Sequence, residues 1–231
     1  MFYNDLIDFL NGNEAELRNR ERRLQLYTHN LAVIVGCGGI GSWVGLLGSH
    51  IFKEVILIDH DIVEISNLHR TPYFACHVGL PKVLALAQLI NLRNPNTIVH
   101  PINLKVDDID IDSVILEREL TGDTIVFDCR DSILPPIELC KHGLVIRMNY
   151  DGFNYSIIFN PDYKSLIEWD DEPETAGYRI TPSCQSVPVM LASFVLQLIQ
   201  NTPPDKIPKL KDKHLVISGN INDLLLKIFK P

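Results

Sequence analysis

The chain carries the segment Val35-Gly36-Cys37-Gly38-Gly39-Ile40-Gly41-Ser42 directly after an apolar run. Glycines at this spacing act through their backbone. Gly36 permits a tight turn, and Gly38 lets N–H groups approach a phosphate closely. Gly41 lets a following helix lie tight on a sheet, and Gly39 completes the cluster. A helix that opens here favours an anion, because its first N–H groups are unpaired and its dipole is positive at that end. Asp59 closes the next apolar run, where a carboxylate can hold ribose hydroxyls. Together these residues read as a nucleotide site. On their own they suit a nicotinamide dehydrogenase as well as an ATP-using enzyme.

The elements that must position these residues are legible around them. Leu31–Val35 and Val55–Ile58 are short, wholly apolar runs, which predict buried parallel strands, with a helix between them reaching about Phe52. Strand, glycine turn, helix and strand make one βαβ unit. The pattern then repeats: a helix over Pro81–Leu92, a strand at Ile98–Ile102, a weak helix, and a strand at Thr124–Phe127. A helix after Asp131 and a strand at Leu144–Met148 complete it. This predicts an α/β fold, a Rossmann-like doubly wound and mostly parallel sheet. Beyond it come a strand at Phe153–Phe159, a polar loop over 160–185, a helix at Val187–Gln200, a strand at His214–Ile217 and a final helix. Upstream, residues 4–27 read as a helix with Leu17, Leu24 and Leu26 as its apolar stripe. The expected organisation is an N-terminal helical arm, 1–29, and a single domain, 30–231. Residues 30–150 form its nucleotide-binding part, and 151–231 a second part.

The segment beginning at Asp59 is more particular. Asp59-His60-Asp61-Ile62-Val63-Glu64-Ile65-Ser66-Asn67-Leu68-His69-Arg70 resembles the Asp-x-Asp-x-Val-x-x-Ser-Asn-Leu-x-Arg signature of the ThiF/MoeB and ubiquitin-activating enzyme superfamily. Val78-Gly79-Leu80-Pro81-Lys82 is similar to that superfamily's Val-Gly-x-x-Lys segment. Asp128-Cys129-Arg130-Asp131-Ser132 resembles its Asp-Cys-x-Asp-Asn motif, with serine for the last asparagine. The resemblance runs from about Leu31 to Met148 and continues more weakly to residue 200. It implies a ThiF-type adenylation domain that uses ATP and Mg²⁺ to adenylate the C-terminal carboxylate of a small ubiquitin-like or sulfur-carrier protein, or a peptide. By the same resemblance Asp59 binds the ribose, Asn67 and Arg70 contact phosphates, Lys82 stabilises the α-phosphate and the leaving charge, and Asp131 holds the magnesium ion. The chemistry asks for such a set, since a carboxylate attacking a phosphate needs cations that neutralise the gathering charge. Read without the resemblance, Asp61 caps a turn, and Arg70 and Lys82 are surface cations.

The resemblance also implies a homodimer in which an arginine enters the partner's site. Leu17-Arg18-Asn19-Arg20-Glu21-Arg22-Arg23 is the counterpart here, with Arg20 first and Arg23 second, although the family's tyrosine is missing. Cys184, in Thr181-Pro182-Ser183-Cys184-Gln185-Ser186, stands where members with a second chemical step carry a nucleophile. A helix N-terminus would lower its pKa, and the alternative is a small buried residue. The five cysteines are scattered, none with Cys-x-x-Cys spacing, so neither a structural zinc nor a disulfide framework is expected, and a reducing cytoplasm fits. Thr71 stands where many members have glutamine, and with the sequence closing at Pro231 neither a rhodanese nor a ubiquitin-fold domain is expected.

The net charge of -8 argues against a protein that grips nucleic acid. No apolar run reaches the roughly 20 residues that span a bilayer. Two further readings compete. One is a tRNA threonylcarbamoyladenosine dehydratase, which Gly39-Ile40-Gly41-Ser42-Trp43 also resembles. The other is a non-catalytic subunit, which would have lost the ATP-site residues retained here.

Overall fold

A computed structural model describes residues 24–116, 123–131, 143–162, 185–211, 213–221 and 223. In chain order the strands are β1 (His29–Val35), β2 (Phe52–Ile58), β3 (Ile98–Ile102), β4 (Ile125–Asp128), β5 (Leu144–Asp151), β6 (Asn154–Phe159) and β7 (Leu215–Asn220). The helices are α1 (Gly39–Gly48), α2 (Lys82–Arg93), α3 (Ile111–Leu116) and α4 (Ser186–Gln200). The strands form one sheet in the order β3-β2-β1-β4-β5-β6-β7. The first five run parallel, and β6 and β7 are antiparallel additions.

The continuous apolar strands are explained by burial on two faces. In β1, Ala32 and Ile34 face a core shared with Val44 of α1, Leu86 and Ile90 of α2, and Leu191 and Val195 of α4. Leu31, Val33 and Val35 face the opposite core, with Ile56, Val126 and Val145 of neighbouring strands and Ile111 of α3. Side chains alternate along a strand, so two covered faces require an apolar residue at every position. The sheet is therefore a Rossmann-like, doubly wound α/β arrangement. Its order reverses at β1: β2 and β3 lie to one side, and β4 onward to the other. That reversal leaves a crevice at the carboxyl ends of the strands.

Several boundaries differ from the sequence reading. The first helix stops at Gly48 instead of Phe52, because Ser49 Oγ donates to the Leu46 carbonyl (2.9 Å) and Ile51 N–H to that of Gly48 (2.8 Å). These bonds satisfy the helix end and let Phe52 begin β2 opposite His29. The predicted N-terminal helix falls outside the described residues except at 24–27, which form a turn and extended chain with Gln25 at φ +57°. Cys184, Arg20 and the helix predicted after Asp131 also fall outside. The last strand is Leu215–Asn220, three residues past the predicted end at Ile217, because β6 offers it a partner along its whole length. No helix among the described residues is long and apolar enough to cross a membrane.

Candidate active site

The glycine turn joins β1 to α1. Gly36 has φ +87°, in the left-handed region, and a Cβ there would lie 2.8 Å from the Cys129 carbonyl. Its N–H donates to the Ile58 carbonyl at 2.8 Å, which ties the turn to β2. At Gly41 a Cβ would fall 1.8 Å from the Gly36 carbonyl, so α1 reaches its position only because this residue has none. A methyl on Gly39 would sit 2.8 Å from the Tyr150 hydroxyl. Gly38 differs, since a Cβ there would meet nothing within 4 Å. Gly38 is also the N-cap of α1, without a side-chain cap and with no acid in the first turn. The positive end of the helix is left for an anion to complete.

Asp59 follows β2 and is 8% exposed. Its Oδ2 accepts the Cys37 N–H (2.7 Å) and its Oδ1 accepts the Asp61 N–H (2.8 Å). Both oxygens are thereby aimed by the backbone before any ligand arrives. From here the chain makes an excursion, 62–81, that closes on itself. Val63 N–H donates to the Leu80 carbonyl, and Gly79 N–H to that of Val63. The excursion delivers Lys82 to the start of α2, where its N–H and its Nζ both return to Asp61, at 2.9 Å on the carbonyl and 2.8 Å on Oδ2. Burial works against the charge on Lys82, but Asp59, Asp61 and Asp131 outweigh it and raise its pKa above the usual lysine value. Burial likewise opposes ionisation of Asp61, and Lys82 more than compensates, holding its carboxyl below the usual carboxylate value.

These groups line one cavity of about 330 Å³ at the carboxyl ends of β1, β2 and β4. It brings together the predicted Gly36, Gly38, Asp59, Asp61, Lys82 and Asp131, and adds His60, Leu104, Lys105, Val106 and Arg130. Asn67 and Arg70 stand outside this lining. Asn67 is spent on its own turn, its Oδ1 accepting the Glu64 N–H at 3.0 Å, and Arg70 Nη1 donates to the Ser66 carbonyl at 3.3 Å. Trp43 of α1 holds that segment by donating to the Arg70 carbonyl (2.9 Å). Asp131 lines the cavity with carboxylate oxygens, the donor type that a hard cation such as magnesium prefers, while Asp59, His60 and Asp61 each bring a ligand atom to within 4.8 Å of the others.

The sequence reading missed the setting of Asp128, which is fully buried and shared by two arginines. Arg147 Nη1, opposite it in β5, donates to Oδ2 at 2.9 Å. Arg130 donates from Nε to Oδ1 at 2.9 Å and from Nη2 to Oδ2 at 3.1 Å. The available signal was Arg147 itself, a lone cation inside the apolar run Leu144-Val145-Ile146-Arg147-Met148. A charge in such a strand needs a partner.

A sheet of this order, with a glycine turn, a fixed carboxylate and a half-buried lysine at its switch point, defines a Rossmann-like α/β domain. Comparison narrows the class. The ThiF family profile matches residues 18–223, and the chain belongs to that family. It is 26% identical over 171 residues to the SAMP-activating enzyme E1 of Haloferax volcanii, covering 68% of this chain and 59% of that protein. It is 33% identical over 104 residues to the molybdopterin-synthase adenylyltransferase of Salmonella typhimurium (44% and 39%). To the tRNA threonylcarbamoyladenosine dehydratase of Escherichia coli it is 31% identical over 124 residues (53% and 45%). The chain thus spans between about two fifths and three fifths of the length of these relatives. Among solved structures, E. coli MccB with ATP superposes with a TM-score of 0.54 at 21% identity, covering 87% of this chain and 65% of that one. The fold is therefore shared with a protein crystallised with ATP.

Proposed function

We propose that the protein uses ATP to adenylate the C-terminal carboxylate of a small ubiquitin-like or sulfur-carrier protein, or of a related peptide. The observation that carries this reading is the single cavity holding Gly38 and the α1 N-terminus, Asp59, Lys82 and Asp131. Its support from relatives is that similar proteins are named activating enzymes and adenylyltransferases. In this reading Asp59 accepts the ribose hydroxyls, and the α1 N-terminus receives the phosphates. A carboxylate oxygen of the carrier attacks the α-phosphorus. The bond from that phosphorus to its bridging oxygen breaks, and pyrophosphate leaves with the electron pair. An acyl-adenylate remains. Lys82 is already charged and held by Asp61, so it meets the developing negative charge without reorganisation. Magnesium held by Asp131, when bound, neutralises phosphate charge.

The proposal extends to residues whose roles come from the family resemblance. Asn67 and Arg70 contact phosphates, and Arg20 enters the partner's site in a homodimer. In a second step the Cys184 thiolate attacks the acyl carbon, releases AMP and forms a thioester, the thiol proton passing to solvent. Residues 30–150 hold the nucleotide, 151–231 hold the carrier, and the setting is a reducing cytoplasm. The test is ATP–pyrophosphate exchange with a small carrier protein ending in Gly-Gly. Exchange is expected only with the carrier, and Asp131→Ala abolishes it. Exchange that persists in Asp131→Ala removes the metal assignment, and a thiol-sensitive adduct in Cys184→Ser removes the nucleophile.

A second reading is favoured by the 31% identity to the tRNA dehydratase. There the adenylated carboxylate is carried on tRNA. ATP consumption stimulated by tRNA and indifferent to any carrier protein selects it over the first.

A further inference from the structure

Given the nucleotide reading of the cavity, its parts divide by chemistry. Asp59 takes the ribose, and the α1 N-terminus with Lys82 takes the phosphates. His60, Leu104, Lys105, Val106 and Arg130 remain, and among these Leu104 and Val106 are apolar and Arg130 carries a flat, planar group. We propose that Arg130 is a specificity-determining plate on which the purine of ATP stacks, with Leu104 and Val106 supplying the apolar walls.

Arg130 is held in a way that suits this role. It leaves β4 beside the glycine turn, its backbone nitrogen 3.2 Å from the Cβ position of Gly36. Its side chain lines the cavity and is 11% exposed, yet its Nε and Nη2 turn back onto the two oxygens of Asp128. That carboxylate cannot swing, because it is fully buried and Arg147 grips it across the β4–β5 ladder. The rotamer freedom of Arg130 is lost on folding, so a ligand need not immobilise it again. A phosphate would be gripped bidentately by a guanidinium edge, and Asp128 already occupies one such edge. The flat, weakly hydrated face is suited to an aromatic ring, as is an apolar wall. The same geometry explains why charge and apolar surface share one cavity.

The experiment measures the affinities of the full chain for ATP and for inorganic tripolyphosphate, in wild type, Arg130→Met and Arg130→Lys. Arg147 stays with Asp128 in both variants, and Arg130→Lys also keeps a cation beside it; circular dichroism checks the fold. A plate predicts that both variants weaken ATP binding by about 3- to 30-fold, with tripolyphosphate unchanged. Three results overturn it. ATP affinity that does not change shows that no base rests on Arg130. Equal losses for ATP and tripolyphosphate make Arg130 a phosphate contact. Full recovery in Arg130→Lys makes charge, not the flat face, the active property. Wild-type protein that binds neither probe removes the nucleotide reading itself, and the plate with it. Carrier-independent exchange removes only the acceptor assignment.

Discussion

Cys129 lines the cavity, Cys37 lies in the glycine turn, and Tyr73 donates from its hydroxyl to the Cys37 carbonyl at 2.7 Å. Burial raises the pKa of all three well above their ordinary values. The Asp59 charge adds to the effect at Cys37 and Tyr73, and the Asp128 charge adds to it at Cys129. Proton linkage gives the consequence its sign. The unfolded chain releases these protons from about pH 8.5 for the thiols and about pH 10 for the phenol, while the folded chain keeps them. The stability they contribute is present in full below those values and is lost as pH rises through the folded pKa values. Urea denaturation at pH 7, 9 and 10 should therefore show a falling midpoint, and Cys37→Ala should flatten the decline. Alkylation at pH 8 followed by peptide mapping should label the exposed Cys76 and spare Cys37 and Cys129. At this scale the sequence exposed Asp59, Asp61, Lys82 and Asp131, because they sit at fixed spacings in recognisable motifs. It hid the Asp128 cluster, because pairing across β4 and β5 depends on register between segments about twenty residues apart. It assigned Asn67 and Arg70 to the phosphates, whereas both stand outside the cavity lining here, since a motif names a residue without saying which way its side chain turns.

The glycine turn between β1 and α1 separates two jobs that a glycine can have. At Gly41 the missing side chain makes room for the protein's own backbone, and at Gly38 it leaves open space beside the helix N-terminus. Gly41→Ala must push α1 away from the Gly36 carbonyl, at a cost of about 1–3 kcal/mol or more. Gly38→Ala should keep thermal stability within about 1 kcal/mol and yet weaken ATP binding, because the added methyl enters the space proposed for the phosphates. Thermal melts and ATP titrations on the two variants check the contrast. Equal losses of stability would contradict it. The elements themselves were readable where burial on two faces leaves a continuous apolar run, as in β1 and β2. Their ends were less so. The stop at Gly48 depends on Ser49 and on its carbonyl, which accepts Asn94 Nδ2 at 2.7 Å and Thr97 Oγ1 at 2.5 Å from the far end of α2. No local window contains that information.

Across the molecule, the parallel half of the sheet followed from the alternation of strands and helices, and the strand order did not. The position of β4 beside β1 creates the crevice, and it arises from which faces the helices cover. β1 is the central strand of that half, paired to β2 and to β4. At its N-terminal end His29 is fully buried and meets the Ile199 carbonyl of α4 at 3.0 Å. At its C-terminal end hangs the glycine turn. β7, in contrast, pairs with β6 alone among the described strands, and its residues are half-buried or exposed. Amide hydrogen exchange should rank these strands in order. The deuterium uptake of β1 should wait for global opening, while β7 exchanges through local fraying. The glycine turn is thus moored to the central strand of the parallel half. Its geometry should survive any excursion that stops short of unfolding the whole sheet.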